Sequence, residues 1–266
     1  MIAQNYYAVV EYDGTEYAGF QIQVDRPTIQ GELERALRRL TQEAVRVHGA
    51  GRTDAGVHAK GQVISFRAAW KHEPVDLQRA MNAVLPQDIA VRDLALAEEG
   101  FHARFSASSR MYIYRVWNRP VRSPLWARFA HHVPDALDVS AMVSAARYLL
   151  GEQDFRAFGQ PPVGDSTVRM VHRVGWRAAN EHGLLCFEIE ANAFLRGMVR
   201  RIVGSLLQVG IGRWTVNEFA DLLASRDIAR CAAQAPACGL CLWRVRYENL
   251  RQTDDRDLRF TRPMEA

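Results

Sequence analysis

The chain has 266 residues and a formal net charge of +4, and its basic residues are all arginine except Lys60 and Lys71. That length allows one large domain or two of ordinary size, with ample core. No apolar N-terminal segment of signal-peptide form and no run of membrane-spanning length occurs, which excludes an exported or membrane-embedded class and predicts a soluble chain. The positive charge suits a polyanionic partner without naming one, and arginine's planar fork suits phosphate and base edges.

In chain order, alternation predicts a strand over Tyr6 to Tyr12. Thr28 then stands where a helix cap belongs, ahead of the single apolar stripe Ile29, Leu33, Ala36, Leu37 and Leu40. Strands follow around Val45 and Val63, then a helix near Leu77 to Val84 and a strand through Ile89 to Leu96. A second series begins with a strand over Tyr112 to Trp117 and a helix from Ser140 to Leu150. Strands near Val174 and over Leu184 to Glu190 come next. They precede a helix from Phe194 to Val209, a shorter one from Thr215 to Ala224, and a strand from Leu240 to Tyr247. Each series reads β-α-β-β-α-β, the second with one added helix. This predicts an α+β chain of two ferredoxin-like halves, residues 1–105 and 106–248, with a charged tail at 249–266. Residues Gly151 to Thr167, rich in glycine and proline, are expected to form a long mobile loop.

The most informative stretch is Gly49-Ala50-Gly51-Arg52-Thr53-Asp54-Ala55-Gly56-Val57-His58. Its glycines permit a tight backbone and the close approach of a ligand around one carboxylate. Taken alone, an aspartate in a glycine-rich turn is an ordinary turn cap. Further motifs accompany it. Tyr12-Asp13-Gly14-Thr15 precedes Gly19-Phe20-Gln21-Ile22-Gln23, and Arg26 to Glu34 opens the first helix. Asn82 to Ile89, Phe101 to Ala107, Arg110-Met111-Tyr112-Ile113-Tyr114, Asn192-Ala193-Phe194-Leu195 and Met198 to Gly204 follow in order.

This ordered set, from about residue 6 to residue 247, resembles the tRNA pseudouridine synthase A family, with Phe20 where tryptophan is usual. The resemblance implies that the sheets of the two halves join and that the active site lies in a central cleft. It also implies that Asp54 is the catalytic nucleophile, that Arg200 pairs with it, and that Tyr112 stacks on the target uracil, its hydroxyl a candidate general base. By the same resemblance Arg52 holds the target nucleotide out of its helix. The expected partners are transfer RNA, modified at positions 38 to 40 of the anticodon stem-loop, and a second copy of the chain in a cytoplasmic homodimer.

The residues themselves leave some of this open. Arg200 lies beside the buried stripe of its helix, where a long stem covers apolar surface, but a plain surface arginine, as Arg201 is read, fits the pattern too. Tyr112 and Tyr114 are equally ordinary strand aromatics. The segment Phe101, His102, Ala103, Arg104 and Phe105 mixes cations with aromatics, as RNA contacts do, and the same composition suits a hinge between the halves.

Uridine isomerisation requires no cofactor, because uracil is both leaving group and returning nucleophile. It requires a carboxylate, a base and a dry pocket. No metal is expected either. Cys238 and Cys241 have zinc-like spacing but lack a second pair, and all four cysteines read as free thiols. A non-catalytic RNA binder has no use for a carboxylate where phosphate must dock. A glycosidase-like hydrolase would need a second catalytic carboxylate, which is not evident.

Overall fold

The computed structural model describes residues 2–161, 164–178 and 183–248. The charged tail expected at 249–266 lies outside them. In chain order the first elements are β1 (Gln4–Tyr12), α1 (Ile29–Thr41), β2 (His48–Gly49), β3 (His58–Ala68), α2 (Pro74–Val84) and β4 (Ile89–Leu96). Then come β5 (Ala107–Trp117), β6 (His131–His132), α3 (Val139–Ala146), β7 (Gly151–Asp154) and β8 (Val168–Ala178). The series ends with β9 (Leu184–Ala191), α4 (Met198–Gly210), α5 (Val216–Ser225) and β10 (Leu240–Tyr247). The fold is α+β with mostly antiparallel pairing, as expected. Among the described residues, no helix is long and apolar enough to cross a membrane. Two compact units emerge, one running to Ser108 and taking in β10 from Cys241 onward, the other spanning Ser109–Leu240. The last strand, expected to complete the second half, thus belongs by its contacts with the first.

In the first unit the strands run β4-β1-β3-β10. On β1, Tyr6, Ala8, Val10 and Tyr12 alternate and are buried. Their partners on β3 are Phe66, Ile64, Gln62 and Ala59, and directly opposed residues share a face. Thr28 caps α1 by accepting the Gly31 N–H, and Ile29, Leu33 and Leu37 are fully buried, each stabilising the unit by roughly 1.5–3 kcal/mol. In α2, Asn82 bonds both backbone groups of Val91 at 2.7 Å, tying the helix to β4.

The strand expected around Val45 is absent; pairing with β3 is confined to His48 and Gly49. The reason lies in α1. Glu34 accepts the Val47 N–H at 3.0 Å and Gln30 donates to the Val47 carbonyl at 2.9 Å. Helix side chains take the bonds that a neighbouring strand would have used.

In the second unit β5 pairs with β9, β9 with β8, and β8 with β7. The buried stripe of α4 comprises Met198, Val199, Ile202, Val203, Leu206, Leu207 and Val209. This helix begins at Met198 rather than Phe194, because Arg196 forms a bridge with Gln160 and Gly197 turns at φ 70°. The helix expected from Ser140 to Leu150 ends at Ala146 and tightens into a 3-10 turn over Arg147–Leu149.

The loop expected over Gly151 to Thr167 requires the largest correction. Gly151–Asp154 is a strand, and Arg156–Phe158 is a 3-10 turn with Phe155, Ala157 and Phe158 fully buried. Asp154 accepts the Thr167 hydroxyl at 2.5 Å and the Arg156 N–H at 3.1 Å. Two buried aromatic rings anchor Phe155–Phe158 to the core, so residues 151–158 are not the long mobile loop expected.

Candidate active site

Residues 50–57 leave β2 and re-enter the sheet at the start of β3. The Ala50 N–H donates to the Val63 carbonyl at 2.8 Å. One residue later a side chain takes over. Gln62 accepts the Gly51 N–H at 3.2 Å and donates to the Gly51 carbonyl at 2.8 Å. Arg52 is exposed, Thr53 buried and Asp54 half-buried. Thr53 shares a 2.8 Å hydroxyl–hydroxyl bond with Tyr12, and its carbonyl accepts the Phe20 N–H at 3.0 Å. The Asp54 carbonyl accepts the Val57 N–H at 3.1 Å, and the Gly56 N–H reaches the Tyr17 carbonyl at 3.3 Å.

The preceding loop fits against this one only because it carries glycine. A Cβ on Gly14 would lie 2.0 Å from the Val57 carbonyl oxygen. Gly19, at φ +106°, would bring a Cβ to 2.7 Å from that of Thr53. Phe20 is buried with its ring against Gly49, where a Cβ would approach it to 2.5 Å. Tyr17 donates to the Asp88 carboxylate at 2.6 Å, and burial first, then Asp88, push its phenol well up. These contacts link the motifs at residues 12–23 and 82–89 to the aspartate loop.

The segment Phe101 to Phe105 packs within the same unit. Ala103 is fully buried; its N–H donates to Ser65 Oγ at 3.0 Å and its carbonyl accepts the Tyr247 hydroxyl at 2.6 Å. The Phe101 ring lies 5.2 Å from that of Tyr247 and 6.0 Å from that of Tyr7. Beyond this anchor, His102 lies 4.8 Å from His48 and 4.5 Å from Phe105. Arg104 sits over the Phe105 ring at 5.5 Å, and that ring is 75% exposed. Burial, and then the neighbouring His48, lower the pKa of His102.

In the second unit Tyr112 lies on β5 opposite Ile189, 8% exposed, with the Phe194 ring edge-on at 5.0 Å. Tyr114 is a core residue: fully buried, it donates to the Pro236 carbonyl at 2.9 Å, and burial pushes its phenol far up. Arg200 is half-buried. Its Nε donates to the Ala235 carbonyl at 2.7 Å and its own carbonyl accepts the Ala235 N–H at 3.0 Å, so the root of the guanidinium is fixed to the backbone. Arg201 is not the plain surface residue expected. It too is half-buried and donates to the Arg196 carbonyl at 3.1 Å.

All four cysteines are free, with Cys186 and Cys241 buried. Among the described residues no group of three His, Cys, Asp or Glu side chains is placed to hold a metal.

Sequence reasoning passed over Gln62, Gln30 and Tyr17, which hold the loop and its approach. One signal was available: a glutamine within the apolar run of β3 must find partners for its amide.

Comparison with known proteins agrees with the motifs. A family model described as tRNA pseudouridine synthase matches residues 8–106 and 145–248. A protein named tRNA pseudouridine synthase A from Chloroflexus aurantiacus is 46% identical over 242 residues, covering 90% of this chain and 87% of the relative. The protein of that name from Shewanella pealeana is 43% identical over 239 residues, with 90% and 91% covered. One from Brevibacillus brevis is 43% identical over 242 residues, with 90% and 98% covered. The chain belongs to the tRNA pseudouridine synthase family.

Proposed function

We propose that this protein isomerises uridine to pseudouridine in transfer RNA, at positions 38, 39 and 40 of the anticodon stem-loop. The observation that carries the reading is the Arg52-Thr53-Asp54-Ala55-Gly56 loop, a half-buried carboxylate on a loop held by the Tyr12 hydroxyl at Thr53 and by the backbones of Tyr17 and Phe20. In the reaction the N1–C1′ bond breaks and the detached uracil turns. C5 then bonds to C1′, the C5 proton leaves and N1 takes up a proton, so the atoms balance without a cofactor. Asp54 is the nucleophile that holds the intermediate while the base is detached. Arg200 is the cation paired with it, and the bonds between Arg200 and Ala235 support that role by limiting the side chain's freedom. Tyr112 stacks on the uracil, and its hydroxyl is the candidate base for the C5 proton.

Arg52, exposed on the loop, holds the target nucleotide out of its helix. Phe101 to Phe105 is an RNA contact, a reading supported by the exposed Phe105 ring between Arg104 and His102. The protein works as a cytoplasmic homodimer, as the family does, and sedimentation should give twice the chain mass.

The test is a transfer RNA tritiated at uracil C5. The protein should release the label to water, and Asp54→Asn should release none while still binding the RNA. Absence of release by the folded wild type, or near-normal release by Asp54→Asn, would refute the assignment.

A further inference from the structure

The pairing of β2 with β3 ends in an unusual rung. His48 and Gly49 pair with Ser65 and Ile64, and the Ala50 N–H adds one more backbone bond to Val63. At Gly51 the chain turns away, and the next rung is made by the side-chain amide of Gln62. Gln62 is 0% exposed. A buried amide is costly unless hydrogen-bonded, and here both its ends go to the backbone of one residue, the one before Arg52. Among the described residues, Gly51 makes no other hydrogen bond.

The contacts on the other side of Arg52 come from elsewhere. Thr53 is held by Tyr12 and Phe20, the Asp54 carbonyl by Val57, and Gly56 by Tyr17. Loss of the Gln62 amide would therefore release the loop before Arg52 and spare the contacts around Asp54. A glycine without its partners is the freest residue in the chain, and the exposed Arg52 side chain would lose its direction.

We propose that Gln62 is a positioning residue for Arg52, directing the arm that holds the target uridine out of its helix, while Asp54 is positioned independently. This rests on the functional reading above and adds a division of labour within one loop.

Single-turnover kinetics on two transfer RNAs test it. In one the target uridine is paired with adenosine; in the other the facing nucleotide is changed so that the pair is broken, removing much of the cost of extrusion. Gln62→Met should slow the paired substrate roughly tenfold, the scale of two lost hydrogen bonds, and the unpaired one less than about twofold. Gln62→Glu, which keeps an acceptor for the Gly51 N–H but no donor for its carbonyl, should fall between wild type and Gln62→Met. Arg52→Ala should show the same bias towards the unpaired substrate. Adding either Gln62 substitution to Arg52→Ala should cost less than about twofold more, because a residue acting through another is non-additive with it.

Equal losses on both substrates in a variant shown to be folded by thermal melting would overturn the proposal, as would full additivity with Arg52→Ala. Should Gln62→Met not fold, Gln62→Glu and its cycle with Arg52→Ala decide the matter. Failure of the wild type on both substrates would instead remove the functional reading, and this inference with it.

Discussion

Residues 49–58 and 151–158 both set glycine beside a charged residue, and the fold uses the two stretches in opposite ways. Around the first, glycine removes bulk: Phe20 fills the place of a Gly49 Cβ, and Gly14 and Gly19 lie against the backbone of Val57 and Thr53. In the second, Gly151 has open space where its Cβ would be and supplies only a left-handed turn, at φ +88°. Phe155 and Phe158 then bury the stretch. Glycine marks a site where backbones crowd, and merely a bend where nothing is near. The presence of glycine alone does not distinguish these cases; the neighbours in space do.

The contrast can be broken by substitution. Gly14→Ala should have the largest effect, since its methyl meets backbone at 2.0 Å and the aspartate loop must move. A displacement of about 1 Å at a reacting group costs on the order of 100-fold, so label release should fall by about that factor. Activity close to wild type would show that the loop position does not matter.

Phe158→Ala should do the reverse. It should cost about 3–5 kcal/mol of stability in urea unfolding and leave turnover per folded molecule close to normal. If this stretch were the mobile loop expected, the substitution would cost little stability.

Gly151→Ala should cost only about 1–2 kcal/mol, the penalty for a left-handed non-glycine residue, and nothing in turnover. The smallest effect concerns Asp154. Burial pushes its carboxyl upward, but the Thr167 hydroxyl, the Arg156 N–H and Arg226 outweigh burial and leave its pKa lowered. A lowered folded-state pKa gives stability that is present above the unfolded value, about 3.9, and is lost as pH falls through the folded value. Melting temperature should therefore drop with acid less steeply in Asp154→Asn than in wild type below about pH 4.

Much of the fold was legible because its signals are local. The strand over Ile89–Leu96, the Thr28 cap and the last strand over Leu240–Tyr247 sit where alternation and capping put them. What was not legible depends on partners distant in sequence. Val45 and Val47 alternate like a strand, yet Gln30 and Glu34 divert the hydrogen bonds of Val47. The α4 start moved because Gln160 bridges Arg196. At the candidate site, the motif singled out Asp54 and Arg52, whereas Gln62 and Tyr17 act through contacts with Gly51 and Asp88 that no spacing rule encodes.

The parallel pairing of Cys241 and Leu242 with His58 and Ala59 bears on how the chain is made. An N-terminal domain ordinarily completes its folding while later residues are still being synthesised. Here that is impossible, because the fourth strand of the first unit follows the second unit, Ser109–Leu240, in the sequence. The fit at Gly61, where a Cβ would lie 2.4 Å from the Trp243 carbonyl oxygen, and the Lys60 ammonium 4.4 Å over the Trp243 ring both wait for it. Until then one stretch of β3 presents unpaired backbone groups, a template for strands of other chains. The nascent protein is most exposed to mispairing until β10 has been made and has paired with β3.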